Sequence, residues 1–174
     1  MFRRTAFALL LSATTFTLAA HAAMSGGGPL KISGKAVGLS FTGTAKFSVS
    51  ENEGKLVFVT NLRDSLDMGV RDDHTKRSFK VKEFPKATLT IDKSKLKLPE
   101  KGESSGSVTG HLTLAKGAKD VNVNYTVAKE GDGYRIKNAS FTFDYTKFGV
   151  EEICKVICVK PEVNVSVSDV KING

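Results

Sequence analysis

Hydrophobic residues recur at every second position along most of the chain. Val37, Leu39 and Phe41 form the first run, then Phe47 and Val49, then Leu56, Phe58 and Thr60, with residues 51–54 turning between the last two. The pattern resumes at Leu89 and Ile91, at Val108, Leu112 and Leu114, and at Val121, Val123, Tyr125 and Val127. It returns at Phe141, Phe143 and Tyr145 and closes with Val163, Val165 and Val167. A period of two puts successive side chains on opposite faces of an extended backbone, so each run predicts a strand with one apolar face. Gly131-Asp132-Gly133 reads as a hairpin turn between two of the later runs. About eight strands joined by short turns, without alternating helices, predict an all-β antiparallel sheet closed as an up-and-down barrel or packed as a sandwich.

Two segments break the pattern. Ser25-Gly26-Gly27-Gly28-Pro29 carries three glycines and a proline, which predicts a flexible lead-in over residues 23–29 rather than a strand. Residues 69–79 predict a helix of one or two turns, because Asp72 and Asp73 suit a first turn and Lys76, Arg77 and Lys80 a last one. Asp67-Met68-Gly69 before it and Phe84-Pro85 after it make this a long, structured connection across one end of the sheet.

Met1-Phe2-Arg3-Arg4, the apolar stretch over residues 5–20 and Ala20-His21-Ala22 together read as a secretory signal cleaved after Ala22. Of 174 residues, about 150 then remain, the size of a single domain over residues 30–174. No later apolar run approaches the ~18 residues that span a bilayer, and no Cys follows the apolar stretch to accept a lipid anchor. Losing Arg3 and Arg4 lowers the formal net charge of +8 by two, and the remaining excess is mostly scattered Lys. Such a surface reads first as an ordinary solvated one, and otherwise as suited to transient contact with an anionic membrane or to a phosphate-bearing ligand; Arg71 and Arg77 belong to no nucleic-acid motif.

Enzyme signatures fail on context. Gly102-Glu103-Ser104-Ser105-Gly106 has the letters of a nucleophile elbow, but such an elbow follows a buried strand and opens a helix, whereas Pro99-Glu100-Lys101 precedes it and a strand follows. Phosphate loops, paired-carboxylate sites and metalloprotease helices are absent, so no catalytic residue is expected. His74 and His111, the two His beyond the signal, have no companion cluster, and no metal is expected. Cys154 and Cys158 are the only cysteines, and in an exported protein they predict a disulfide, which requires a tight turn through Lys155-Val156-Ile157. A redox-active pair is the alternative, since strained small-loop disulfides are the more reducible ones.

The connection also carries a resemblance. Arg71-Asp72-Asp73-His74, then Phe79, then Phe84-Pro85 leading into Ala87-Thr88-Leu89-Thr90-Ile91, resembles the Arg-Asp-x-His segment of the YceI family of lipocalin-like polyisoprenoid-binding proteins. The stretch at residues 106–114, the Phe148-Gly149-Val150 turn and the final alternating strand at residues 161–172 are similar to further segments of that family. The resemblance implies an eight-stranded antiparallel lipocalin-like barrel with one short helix near one end. It also implies a non-enzymatic role in the bacterial periplasm, holding an isoprenoid quinone or polyisoprenoid phosphate in an apolar lumen.

Phe41, Phe47, Phe58, Leu112, Tyr125, Phe141, Phe143 and Tyr145 are the candidates for the lumen wall. An eight-stranded barrel either fills with its own side chains or holds one slender ligand, and these residues are large enough for both. Arg71 and His74 are the candidates for the rim: a guanidinium fork suits phosphate, and an imidazole can donate to a quinone or phosphate oxygen. Both could instead merely brace the connection. Apart from a bound isoprenoid lipid no cofactor is expected, and a dimer is compatible with the sequence. The competing readings are a redox or enzymatic protein using Cys154 and Cys158, and a packed stress-response module without ligand.

Overall fold

Alternating residues become eight strands, β1 (Ser25–Ala36), β2 (Leu39–Asn52), β3 (Lys55–Asn61), β4 (Lys86–Asp92), β5 (Glu103–Leu114), β6 (Gly117–Glu130), β7 (Gly133–Asp144) and β8 (Val159–Asn173). The structure, a computed structural model, describes residues 23–153 and 158–174. The predicted signal with its cleavage point lies outside the described residues, as does Cys154 with the three residues after it. Each strand pairs antiparallel with the next, and β8 returns to β1 to close the barrel. Inward residues such as Phe47, Val49, Val108, Leu112, Val121 and Val123 are buried, while their neighbours in sequence face out.

Four points depart from the periodicity reading. Residues 25–29 are not a flexible lead-in but the first part of β1, paired with β2 from Ser25↔Ser50 onward. Glycine is what permits this: a Cβ on Gly27 would collide with the Phe47 carbonyl, and one on Gly28 would lie 2.8 Å from the Val170 side chain. Pro29 falls where the ladder to β8 is irregular, between Gly26 and Lys31, so its missing N–H costs little. Second, Val37 and Leu39 do not continue the apolar face into Phe41; they sit at the β1–β2 hairpin turn, 67% and 51% exposed. Third, Phe41, Phe47 and Val49 belong to one long strand rather than two. Fourth, Tyr145 has left β7 and opens the short 3-10 turn Tyr145–Phe148.

Up-and-down order sorts the connections to two ends. One end holds the β1–β2 turn, residues 62–85, the β5–β6 turn and the connection from β7 to β8. In residues 62–85, helix α1 (Leu62–Ser65) is capped by the Asn61 side chain, which accepts from the Arg63 and Asp64 amides. The 3-10 turn Gly69–Arg71 then leads into α2 (Asp72–Ser78), at the place predicted for a helix. A two-way backbone bridge from Asp67 to Thr44 fastens this connection to β2. Side chains pack across the opposite end. Met24 is buried there, its amide donating to the Glu51 carboxylate at 3.0 Å, and Lys93 Nζ donates to the same carboxylate at 2.8 and 2.9 Å. Leu96 and Leu98 pack against the interior beside it, and the Lys97 amide donates to the Tyr125 hydroxyl at 2.8 Å.

Candidate functional site

The barrel is hollow. Phe58, Leu89, Phe141, Phe143, Val165 and Val167 all point inward, yet none is fully buried: each keeps surface open to the space it encloses. A packed core at ordinary interior density would bury such side chains completely. The space open to the centre of a water-sized sphere is about 250 Å³. Strands of 12 to 15 residues, such as β5 and β8, rise roughly 40–50 Å along their own direction. A tilt of about 40° then leaves a barrel on the order of 30 Å tall, so the cavity is long and narrow.

All eight residues predicted for the lumen wall lie on this one surface. Phe47 and Phe58 meet with tilted rings 6.0 Å apart across β2 and β3, and Phe143 lies 6.1 Å from Phe141 and 5.6 Å from Phe148, the latter pair nearly perpendicular. Tyr125 turns its hydroxyl to the closed end, and Tyr145 spends its own on structure: it donates to the Val159 carbonyl at 3.0 Å and accepts from the Ile153 amide at 3.3 Å. Tyr145 thus presents only its ring and fixes the β7–β8 connection. Leu30 and Ile32, which the sequence reading did not place, also line the cavity because β1 begins earlier than expected. Their alternation with Lys31 and Ser33 is visible, but two apolar residues are too short a run to outweigh the glycines before them.

Charge is nearly absent from the wall. Among the described residues, Arg71 and His74, from the turn before α2 and the start of α2, are the only ionisable groups on it apart from the tyrosines. Arg71 is also the one described lining residue that is exposed, so it marks a place where the cavity wall meets solvent. The structure therefore brings together the predicted wall and the predicted rim. Among the described residues no buried side-chain nitrogen or oxygen lacks a hydrogen-bond partner, and no cluster of His, Cys, Asp and Glu could hold a metal. The interior can thus receive an apolar chain by contact alone.

The other candidates lie elsewhere. His111 is on the outer face of β5, its Nδ1 2.9 Å from Asp120 Oδ1 across the β5–β6 pair. The Gly102-to-Gly106 pattern runs into β5, not into a helix. Asp144 caps the 3-10 turn after β7; hydrogen bonds from the Thr146 hydroxyl and amide hold its carboxyl below the usual carboxylate range. Cys158 is exposed at the foot of β8, and its carbonyl accepts from the Val37 amide at 3.3 Å, tying the β1–β2 turn to the β7–β8 connection.

Comparison with known proteins gives the same architecture. A polyisoprenoid binding domain from Saccharophagus degradans, implicated in plant cell wall breakdown, superposes with a TM-score of 0.65 at 17% identity, covering 86% of this chain and 96% of its own. BcnA of Burkholderia cenocepacia superposes at 0.62 with 21% identity, covering 87% and 96%. At such identities the likeness concerns the fold. No curated protein sequence matches the chain. The model of the YceI-like domain, however, matches residues 12–170, nearly the whole barrel, and the chain belongs to that family.

Proposed function

We propose that this protein binds a long apolar lipid of the isoprenoid class inside its barrel and carries it without chemical change. The hollow, apolar interior is the observation that carries the reading. A polyprenyl chain is slender, flexible and free of hydrogen-bonding groups, so it fits a wall that offers only hydrocarbon and aromatic faces. The solved relative described as a polyisoprenoid binding domain shares the fold and supports the choice of ligand class. With the tail in the lumen, the head group sits at Arg71 and His74, where a phosphate or quinone oxygen finds donors. The work is done in the periplasm, after removal of residues 1–22, with Cys154 and Cys158 joined.

Native mass spectrometry of protein purified from a bacterial periplasm tests this reading. One isoprenoid lipid per chain is the expected result. Apo protein that takes up no polyprenyl phosphate or quinone from detergent solution, yet turns over a thiol substrate, would replace it with the redox alternative.

A further inference from the structure

The two ends of the barrel differ in a way that lipid binding alone does not require. At the closed end, Glu51 and Glu53 adjoin the β2–β3 turn and Glu130 and Asp132 the β6–β7 turn, with Glu51 paired to Lys93, Glu130 paired to Arg135, and Lys55 and Lys129 beside the same turns. At the open end, the β1–β2 turn reads Ala36-Val37-Gly38-Leu39 and the β5–β6 turn Leu114-Ala115-Lys116-Gly117, with no acid in either. The large exposed hydrophobic residues among those described are Val37, Leu39 and Val70, and all three are at this end. Val70 is wholly exposed and adjoins Arg71, the residue where the cavity reaches solvent. Lys35, Lys116 and Lys147 are exposed around the same end. Charges of both signs occur on its longer connections, including Asp73, Glu151 and Glu152, so the contrast rests on the hairpin turns and the apolar residues.

We propose that the open end is a membrane-docking face, on which the Val37–Leu39 hairpin tip and Val70 enter the interfacial region of an anionic bilayer while Lys35, Arg71, Lys116 and Lys147 meet its head groups. This deepens the lipid-carrier reading and rests on it for its purpose: a docked mouth lets an apolar chain pass between bilayer and lumen without crossing water. The chemistry of each part matches. Exposed aliphatic side chains on a protruding turn gain by leaving water for the acyl boundary, and cations near them are drawn to the negative surface potential. A second copy of the chain is a poor occupant, because a stable dimer needs well over 1,000 Å² of buried surface and this patch offers three separated aliphatic side chains. The hairpin is held from behind by the Val37 amide on the Cys158 carbonyl, so its tip is presented rather than loose.

Flotation with vesicles of phosphatidylethanolamine and phosphatidylglycerol, against vesicles of phosphatidylcholine, tests the face directly. The full mature chain should float with the anionic vesicles and far less with the neutral ones. Val37→Asp with Leu39→Asp should lower its partition onto anionic vesicles by roughly tenfold to a hundredfold, with Val70→Asp alone giving a smaller loss. Both variants alter only exposed side chains, so a thermal melt should match wild type. Uptake of polyprenyl phosphate from detergent solution should be unchanged in the variants, while transfer of the same lipid out of vesicles slows with their partition. Vesicle binding that is absent in wild type, or equal in the double variant, would overturn the proposal. So would a wild-type dimer that the double variant dissociates, since the tip would then be a contact between copies. Failure of detergent uptake in wild type would instead count against the carrier reading and leave the flotation result standing.

Discussion

Placing a carboxylate at Phe143 asks whether the lumen is a dry apolar space. Phe143 lies on β7 opposite Val163, with its ring against Phe141 and nearly perpendicular to that of Phe148. Either Phe143→Asn or Phe143→Asp loses that packing, about 1.5–3 kcal/mol of burial plus about 0.5–1.5 kcal/mol for each aromatic pair. The difference between the two variants isolates charge. In an apolar cavity, which stays dry, the carboxyl pKa rises above its unfolded value of about 3.9 by roughly two to three units, and each unit is worth about 1.4 kcal/mol. The folded form then holds its proton more tightly than the unfolded chain, so stability falls as pH rises through the window between the two pKa values and is constant above it. Denaturant melts should therefore show the two variants equal near pH 4 and Phe143→Asp less stable by about 3–4 kcal/mol near pH 8. Lipid occupancy at neutral pH should fall with it. A gap below about 0.5 kcal/mol across the whole range would mean the carboxylate keeps its hydration, and the dry lumen would be wrong.

Arg71→Ala should weaken a polyprenyl phosphate by roughly 5- to 150-fold and a neutral isoprenoid of equal tail length much less; equal losses with a lowered melting temperature would make Arg71 a brace. Gly117→Ala should destabilise by about 1–3 kcal/mol in a thermal melt, because its Cβ would sit 2.5 Å from the Phe148 Cα, which is backbone and cannot swing aside. Asp144→Ala should cost about 1 kcal/mol at neutral pH by removing the cap on Thr146. Since that cap holds the carboxyl below its usual range, its contribution is present above the unfolded pKa and vanishes as pH falls through the folded one, so melts of wild type and variant should converge in acid. Intact mass before and after reduction should give an N-terminus at Ala23 and thiols that alkylate only once reductant is added; two alkylatable thiols without it would refute the bridge.

The architecture was legible because alternation is strong wherever one face meets the lumen, as from Val108 to Leu114 and from Val121 to Val127. The expected number of strands was reached through two errors that cancelled. β2 was divided because Gly43 and Ala45 interrupt its apolar face; Gly43 is small because Met68 lies over it, a contact between distant residues that no local pattern reports. β1 was missed because its glycines answer the crowding of β2 and β8, again a tertiary demand. Val37 and Leu39 read as core because hydrophobicity carries no sign of whether a residue precedes or follows a turn. For the site, period two identified the wall, while Arg71 and His74 came from the motif around them; only the barrel's closure shows that wall and rim share one space. Hollowness could not be read at all, since a packed interior and an empty one use the same residue types.

The seam between β1 and β8 has a kinetic consequence. Ser25 pairs with Asn173, so the first described strand finds one of its two partners only at the far end of the chain. Closing a loop of nearly the entire chain defers much of the ladder energy until late, which makes for slow folding. Until β8 arrives, β1 and β7 each present an unpaired edge, and those edges can recruit strands from other molecules. A chain truncated between β7 and β8 keeps both edges permanently, and its failure should take the form of aggregation rather than of a smaller, stable barrel.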